Sequence, residues 1–228
     1  MKLDYTEVRR LLRTGRSGAL GSISVAMSGY PFVSLLPYGL DARGRPLFLL
    51  SRLAEHTKNL LADPRASLMV SDEAPGSSLE RVRLTLLGTM DRVDLDEFGR
   101  ARFLRYSPNS AEFLDWGDFS FFRMEPLKAR FIGGFGRMGW LDAVPLNDPL
   151  EPPEETALLE ALARRLPVGM GVEGLDPEGV DLLVAGVRRR IAVEPMGTGP
   201  AALFEATCDA LDRAGLFESA DPPAGVFV

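Results

Sequence analysis

The chain opens with one amphipathic segment and then changes to short apolar runs that alternate with turn residues. Between residues 4 and 14, Val8, Leu11 and Leu12 share one helical face and Gly15 follows as a stop signal, so the pattern predicts a helix. From Gly18 onward the apolar residues form the runs ALGSISVAM, FVSLLPYGL and LFLLS, with turn residues between them. These runs predict three consecutive antiparallel strands.

The remainder of the first 150 residues continues this mainly β pattern. RLAEHTKNLLADP predicts a helix, and ASLMVSD and RVRLTLLGTMDRV predict strands. DLDEFGRARFLRYSP then predicts a helix capped near Asp94, NSAEFLDWG a short helical turn, and DFSFFRMEP with LKARFIGGFG two more strands. Six or seven strands with mostly short connections favour a small β-barrel, because closure of the sheet removes its exposed edges.

Proline is concentrated in AVPLNDPLEPPEE, residues 143–155, which is typical of a linker. We therefore place a domain boundary near Leu150, with a barrel domain over 1–150 and a small α+β domain over 151–228. In the second domain the pattern predicts a helix over 154–166, strands over 180–185 and 187–193, and a helix over 200–214. The predicted fold class is mainly β, a split barrel followed by a small α+β domain.

Composition narrows the class of protein. A net charge of −6 with 46% hydrophobic residues is typical of a globular chain, and the acidic balance without a long basic run argues against a nucleic-acid partner. The single cysteine, Cys208, cannot form an internal disulfide, and MKLDYTEVRR lacks the apolar core of a secretory signal, so we expect a cytoplasmic protein. The longest uncharged stretch, residues 17–40, is rich in Gly, Pro and Ser and is interpreted as paired strands rather than a membrane span.

The only histidine is His56, which excludes a metal site with several histidines. A Ser-His-Asp triad could use no imidazole other than that of His56. We therefore predict no resident metal site built from several histidines or cysteines, and the catalytic residues stay unassigned. His56 itself has three open interpretations, an ordinary surface residue, a donor to a phosphate or flavin, and a haem ligand.

A buried strand, PLFLL, ends at Ser51, where the next helix is predicted to begin. A helix amino terminus presents unpaired N–H groups that stabilise an anion such as phosphate. His56, Thr57 and Lys58 add imidazole, hydroxyl and ammonium donors nearby. The same pattern is also typical of a plain serine cap followed by solvated polar residues, so both interpretations stay open.

Two later segments are further candidates. Arg83 and Thr85 alternate with Leu84 and Leu86, so they lie on a polar strand face that either lines a pocket or meets solvent. In GGFGRMGW, residues 133–140, the glycines permit close backbone approach and Arg137 and Trp140 add a cation and a flat ring, although a bulged hairpin explains the glycines equally well.

Three segments, LFLLSRLAEHTKNLLADPRASLMV, RVRLTLLGTM and RFIGGFGRMGW, resemble in order and spacing the haem-utilisation branch of the pyridoxamine 5′-phosphate oxidase-like, FMN-binding split-barrel family. The resemblance covers about residues 5–145, and its most specific part is Ser51-x-x-x-x-His56-Thr57-x-Asn59 followed by Asp63-Pro64-Arg65. The chain from residue 151 is similar to the small α+β domain that often follows this barrel.

The resemblance implies a homodimer of six-stranded split barrels with FMN bound at the subunit interface. It implies that Ser51, His56 and Thr57 hold the FMN phosphate, with Lys58 as a weaker candidate. The other residues that it implies around the flavin are Ser34 and Arg83 and, from the second subunit, Arg137 and Trp140.

The predicted function is therefore an FMN-dependent oxidoreductase that acts on a small organic substrate. Haem-degrading members of the branch ligate iron through a histidine in the carboxy-terminal region, whereas the tail GLFESADPPAGVFV contains none. Two alternatives stay open, a haem-binding or haem-utilisation protein without that ligand and a cofactor-free dimeric module.

Overall fold

The structure, a computed structural model, describes residues 5–72, 81–134, 136–142, 149–194 and 196–217. The chain divides into two compact units, Met1–Leu146 and Asn147–Val228. The elements of the first unit are α1 (Tyr5–Thr14), β1 (Ser17–Ile23), β2 (Pro31–Pro37), β3 (Gly39–Leu40), β4 (Pro46–Ser51), α2 (Glu55–Ala62), β5 (Arg65–Ser71), β6 (Arg83–Val93), α3 (Glu97–Tyr106), a 3₁₀ turn (Pro108–Ser110), α4 (Ala111–Leu114), β7 (Phe119–Ile132) and β8 (Met138–Leu141). Those of the second unit are α5 (Pro152–Ala163), β9 (Met170–Asp176), β10 (Gly179–Val184), β11 (Val187–Ala192) and α6 (Pro200–Arg213).

The first unit is a curled antiparallel sheet with the order β2-β1-β5-β6-β7-β4-β3, and β8 pairs with β7. Its two outer strands, β2 and β3, are separated in the chain only by Tyr38, so one bent segment forms both ends of the sheet. The prediction of a mainly β, barrel-like α+β fold is confirmed. The sheet has eight strands where six or seven were predicted, because the bend at Tyr38 separates β2 from β3 and β8 forms a short strand of its own. The two strands predicted over DFSFFRMEP and LKARFIGGFG are instead one continuous strand, β7.

The inner face of this sheet forms the core of the first unit. Leu20, Leu68 and Leu86 lie side by side on β1, β5 and β6 and are fully buried. Residues between them in each strand point to the opposite, outer face, since side chains alternate along a strand. The alternation predicted for the Arg83 strand is therefore confirmed, with Leu84 and Leu86 inward.

Strand β2 differs from its neighbours, because none of its seven residues is buried. Val33 and Leu35 on its outer face are 64% and 75% exposed. The residues of its inner face, Phe32, Ser34 and Leu36, are only half-buried. An edge strand with two incompletely covered faces is unusual for a folded sheet, since natural proteins cover or charge such edges.

Two helices begin later than the sequence predicts. Helix α2 starts at Glu55 with Ala54 as its N-cap, so Ser51 does not cap it. Helix α3 is capped by Asp96, two residues after Asp94, and the Asp96 carboxylate accepts a hydrogen bond of 2.8 Å from the backbone N–H of Gly99. The predicted amphipathic helix α1 is confirmed and buries its apolar face in the barrel core.

The second unit packs α5 and α6 on a three-stranded sheet with the order β11-β10-β9. The glycine-punctuated segment before β10, which carried no prediction, forms β9. Besides its apolar core, this sheet buries a group of ion pairs, Arg190 with Asp176 (2.7 Å) and Asp181 (2.8 Å), and Arg188 with Glu173.

Several predicted features lie outside the described residues, namely residues 143–148 of the proline-rich linker, Phe135 and the last eleven positions, 218–228. None of the described helices combines the length and the apolar character needed to cross a bilayer. In the described ranges, no group of three or more His, Cys, Asp or Glu side chains is arranged to hold a metal ion.

Candidate functional site

The Ser51 hydroxyl is bound by groups of the protein itself. It donates a hydrogen bond of 2.7 Å to Oδ2 of Asp118 and accepts one of 3.1 Å from the backbone N–H of Leu53. The carboxylate of Asp118 thus lies beside the hydroxyl that was predicted to bind a phosphate, and two anions repel each other. Because α2 begins only at Glu55, its N–H groups also lie beyond Ser51.

Thr57 and Lys58 differ in their surroundings. Thr57 is only 2% exposed, and within the described residues its buried Oγ1 has no hydrogen-bond partner. Lys58 is exposed and its Nζ lies 2.6 Å from Oε1 of Glu55, one turn away on the same helix. Their predicted roles as phosphate ligands therefore receive no support from this geometry.

His56 lies on α2 facing β2, with its Nδ1 3.2 Å from the hydroxyl of Ser34. Burial of the half-buried ring lowers the pKa of His56 below its usual value, because the charged imidazolium loses solvation. Burial therefore favours the neutral ring, and a neutral imidazole can offer a nitrogen lone pair to a metal.

Helix α2, and with it His56, is anchored by Asn59, which is buried. The Asn59 Oδ1 accepts a hydrogen bond of 2.8 Å from the backbone N–H of Val25, and its Nδ2 donates one of 3.1 Å to the Ser22 hydroxyl. These bonds tie the helix to the hairpin of β1 and β2. Asn59 is thus a positioning residue that was noted in the sequence only as part of the family pattern.

The outer face of the sheet contains an apolar trough of about 430 Å³. Its lining includes four small residues, Gly21, Ala66, Ser67 and Gly88, and a Cβ added at Gly21 would lie 2.5 Å from the Ser67 hydroxyl. Its remaining lining includes Ile23, Pro31, Val33, Leu87 and Leu127. The volume lies in the range of roughly 300–1,000 Å³ that small-molecule sites occupy.

Next to the trough, β7 and β8 carry Lys128, Arg130 and Trp140, which we name the cationic corner. The Lys128 Nζ lies 5.5 Å from the centre of the Trp140 ring, and the Arg130 guanidinium carbon lies 5.7 Å from it. Trp140 is 53% exposed. Lys128 also forms a 2.8 Å ion pair with Asp142.

The predicted site residues occupy separate places within one chain. Ser34 and His56 meet on the inner side of β2, since Ser34 pairs with the fully buried Leu20. Arg83 and Trp140 belong to the outer face, because Arg83 and Thr85 alternate with the buried Leu84 and Trp140 pairs with Arg130. Arg137 forms an ion pair with Glu7 of α1.

Sequence reasoning missed Asp118, Lys128 and Arg130. The signal for the last two was present, since the two cations alternate with Ala129 and Phe131, the spacing that puts them on one strand face. Asp118 carried no such signal, because the contact with Ser51 spans 67 positions.

Comparison with known proteins gives one family match and several named relatives. Residues 4–147 match the family model described as CREG, β-barrel. Over 130 residues the chain is 36% identical to the non-canonical heme oxygenase HOZ, chloroplastic, of Arabidopsis thaliana, a match covering 56% of this chain and 40% of HOZ. It is 31% identical over 121 residues to heme oxygenase HutZ of Vibrio cholerae, covering 50% of this chain and 68% of HutZ. A solved heme-binding protein from Mycobacterium smegmatis is 26% identical, with a TM-score of 0.57, and the match covers 94% of this chain and 99% of that one.

These relatives overturn the predicted FMN-dependent oxidoreductase. They are named for haem, and none of the three is named as a flavoprotein. The local geometry gives a physical reason for the error, since the Asp118 carboxylate binds the serine that was assigned to the FMN phosphate. The alternative that involved haem is the one the relatives favour.

Proposed function

Because the chain belongs to the CREG β-barrel family and its relatives are named for haem, we propose that this protein binds haem. The observation that carries the proposal is the match of 94% of the chain to a protein named as heme-binding. The chain spans 40% of the length of HOZ, so the activity of HOZ is not proposed for this chain.

Haem binding requires an apolar surface for the macrocycle, cations for its carboxylates and a donor for its iron. The apolar lining of the trough supports the proposal as a surface for the macrocycle. His56 is the only imidazole of the chain, and its lowered pKa favours the neutral form that a metal requires. Haem, when bound, would supply the iron and its redox chemistry, and the residues of the chain would hold and orient it.

We further propose that the protein acts as a homodimer, as the family resemblance implies. Strand β2 supports this proposal, since Val33 and Leu35 leave an apolar outer face exposed at the edge of the sheet. The hairpin before β2 adds Val25, Met27 and Tyr30, all more than half exposed. A second copy that packs on this surface would bury the apolar groups without introducing charge.

Titration of the purified apoprotein with haemin, followed through the Soret band, tests the haem proposal. We expect saturable binding with a shifted Soret band in the wild type. His56→Ala should lose the shift and bind at least about tenfold more weakly, because loss of a direct ligand should cost no less than the roughly 10- to 100-fold seen for outer partners. The Lys58→Ala variant is a matched control on the same helix, and its spectrum and affinity should match the wild type.

The possible results separate the two parts of the proposal. A wild type that leaves the spectrum of free haemin unchanged would show that the protein does not bind haem. A His56→Ala protein with the wild-type spectrum and affinity would show that His56 is not the ligand, while haem binding itself would stand.

A further inference from the structure

The cationic corner is an unusual surface for this chain, which has a formal net charge of −6. Lys128 and Arg130 lie on one face of β7, and both approach the ring of Trp140 across the β7–β8 pair. Contact with an aromatic face holds a cation in place while its outer side stays available to a ligand. The corner therefore presents two oriented positive charges to solvent.

Little of this charge is neutralised by neighbouring carboxylates. Among the residues that the structure describes, Arg130 forms no ion pair. The partner of Lys128 is Asp142, whose side chain is 91% exposed, and an ion pair so open to water is weak and easily exchanged for another anion. An incoming carboxylate would thus gain attraction without breaking a buried pair.

The corner borders directly on the apolar trough. Lys128 pairs across the sheet with Leu87, which lines the trough, and the preceding residue, Leu127, lines it as well. Arg130 pairs with Thr85, one step further along the same outer row. A single surface thus combines an apolar area with two cations on one side of it.

This combination matches an amphiphilic planar anion, and we infer that the cationic corner recognises the carboxylate groups of a tetrapyrrole whose rings lie on the apolar surface beside it. Two cations suit two carboxylates, and the planar fork of Arg130 can bind one of them through two hydrogen bonds. The inference rests on the proposed haem binding and adds the residues that set its specificity.

One consequence is that the carboxylates, and not the iron alone, contribute to binding. Metal-free protoporphyrin should therefore bind to this protein, whereas its dimethyl ester, which has the same rings but no charge, should bind more weakly. Trp140 provides a local readout, since it is one of two tryptophans in the chain and a tetrapyrrole bound beside it should quench its fluorescence.

The experiment is a fluorescence titration of the full-length apoprotein with protoporphyrin and with its dimethyl ester. Arg130→Gln should weaken protoporphyrin binding by about tenfold or more, because one charge-assisted contact is lost. Lys128→Gln combined with Arg130→Gln should weaken it further and make the two ligands bind alike. Arg43→Gln removes the same charge from the exposed turn before β4, and this control should stay within twofold of wild type.

Wild-type affinity in both corner variants, with the fold intact by circular dichroism, would overturn the inference and leave the haem proposal standing. Binding of haemin without any binding of protoporphyrin would also overturn it, because iron would then be required. If the wild type bound neither ligand, the haem proposal would fail and this inference with it.

Discussion

Cys208, the only thiol of the chain, is buried on the face of α6 that packs in the core of the second unit. Its Sγ lies 3.0 Å from Nη1 of Arg165, whose guanidinium lies 4.7 Å from the centre of the Phe217 ring. Burial raises the pKa of the Cys208 thiol, and the nearby guanidinium only partly opposes that effect. The residue is therefore a protonated packing group, as the acidic surroundings of Cys208 in the sequence suggest.

We expect Cys208 in the native protein to react with dithiodipyridine at least about tenfold more slowly than in the urea-unfolded chain at pH 8, because only the thiolate is nucleophilic. Raising the pH through the ordinary cysteine pKa of about 8.5 should saturate the rate in the unfolded chain. In the native protein the rate should continue to rise above that pH. Equal rates and equal pH profiles in the two states would contradict the assignment.

At the scale of elements, alternation and turn residues predict most of the strands, because strands such as β1 and β6 have one buried and one outer face. Helix starts are less well predicted, since Ser51 resembles an N-cap in sequence while its hydroxyl is bound by Asp118 in the fold. The candidate site was predicted only in part, because contacts between residues far apart in the chain are not visible in the sequence. His56 and Trp140 are visible as residue types, but the sequence does not reveal that they lie on opposite sides of the sheet.

The bulge between Leu87 and Gly88 is an element-scale feature that a substitution can test. A Cβ at Gly88 would lie 2.0 Å from the backbone carbonyl oxygen of Glu125, which cannot move without breaking the β6–β7 pairing. Gly88→Ala should therefore destabilise the barrel by about 3 kcal/mol, at the upper end of the range for overpacking. Urea unfolding measures the change.

Gly171→Ala is the matched control for this prediction. Gly171 also lies in a strand, but its added Cβ would meet the Leu183 Cβ at an ordinary 3.8 Å. The control should change the free energy of unfolding by less than about 1 kcal/mol. Similar losses in the two variants would show that close approach at Gly88 is not the cause.

At the scale of the whole molecule, His56 and the cationic corner lie on opposite faces of one sheet. Ser34, the partner of His56, belongs to the inner row of β2, whereas Trp140 and Arg130 belong to the outer row. A single haem that contacts both therefore needs two copies of the chain. The proposed homodimer would meet this need by combining His56 of one copy with the corner of the other.

A mixing experiment tests this arrangement. Sedimentation should first show a dimer at micromolar concentration. His56→Ala and the Lys128→Gln/Arg130→Gln double variant should each bind haemin poorly. Their re-equilibrated equimolar mixture should recover about one quarter of the wild-type sites, because half of the dimers are mixed and each mixed dimer has one intact site out of two. A monomer, or a mixture no better than its components, would exclude a shared site.

The ion pairs of the second unit also restrict how its sheet can misfold. Strand β11 contains Arg188, Arg189 and Arg190 in succession, and Arg190 lies opposite Asp181 while Ile191 lies opposite Val180 on the core side. A slip of the strand pairing by one residue would turn Arg190 toward the apolar core and leave Asp181 buried without its partner. Breaking a buried ion pair in this way lowers the free energy of unfolding by roughly 3–5 kcal/mol. Alternative pairings of this edge strand, including exchange with another chain, are therefore disfavoured by charge as well as by shape.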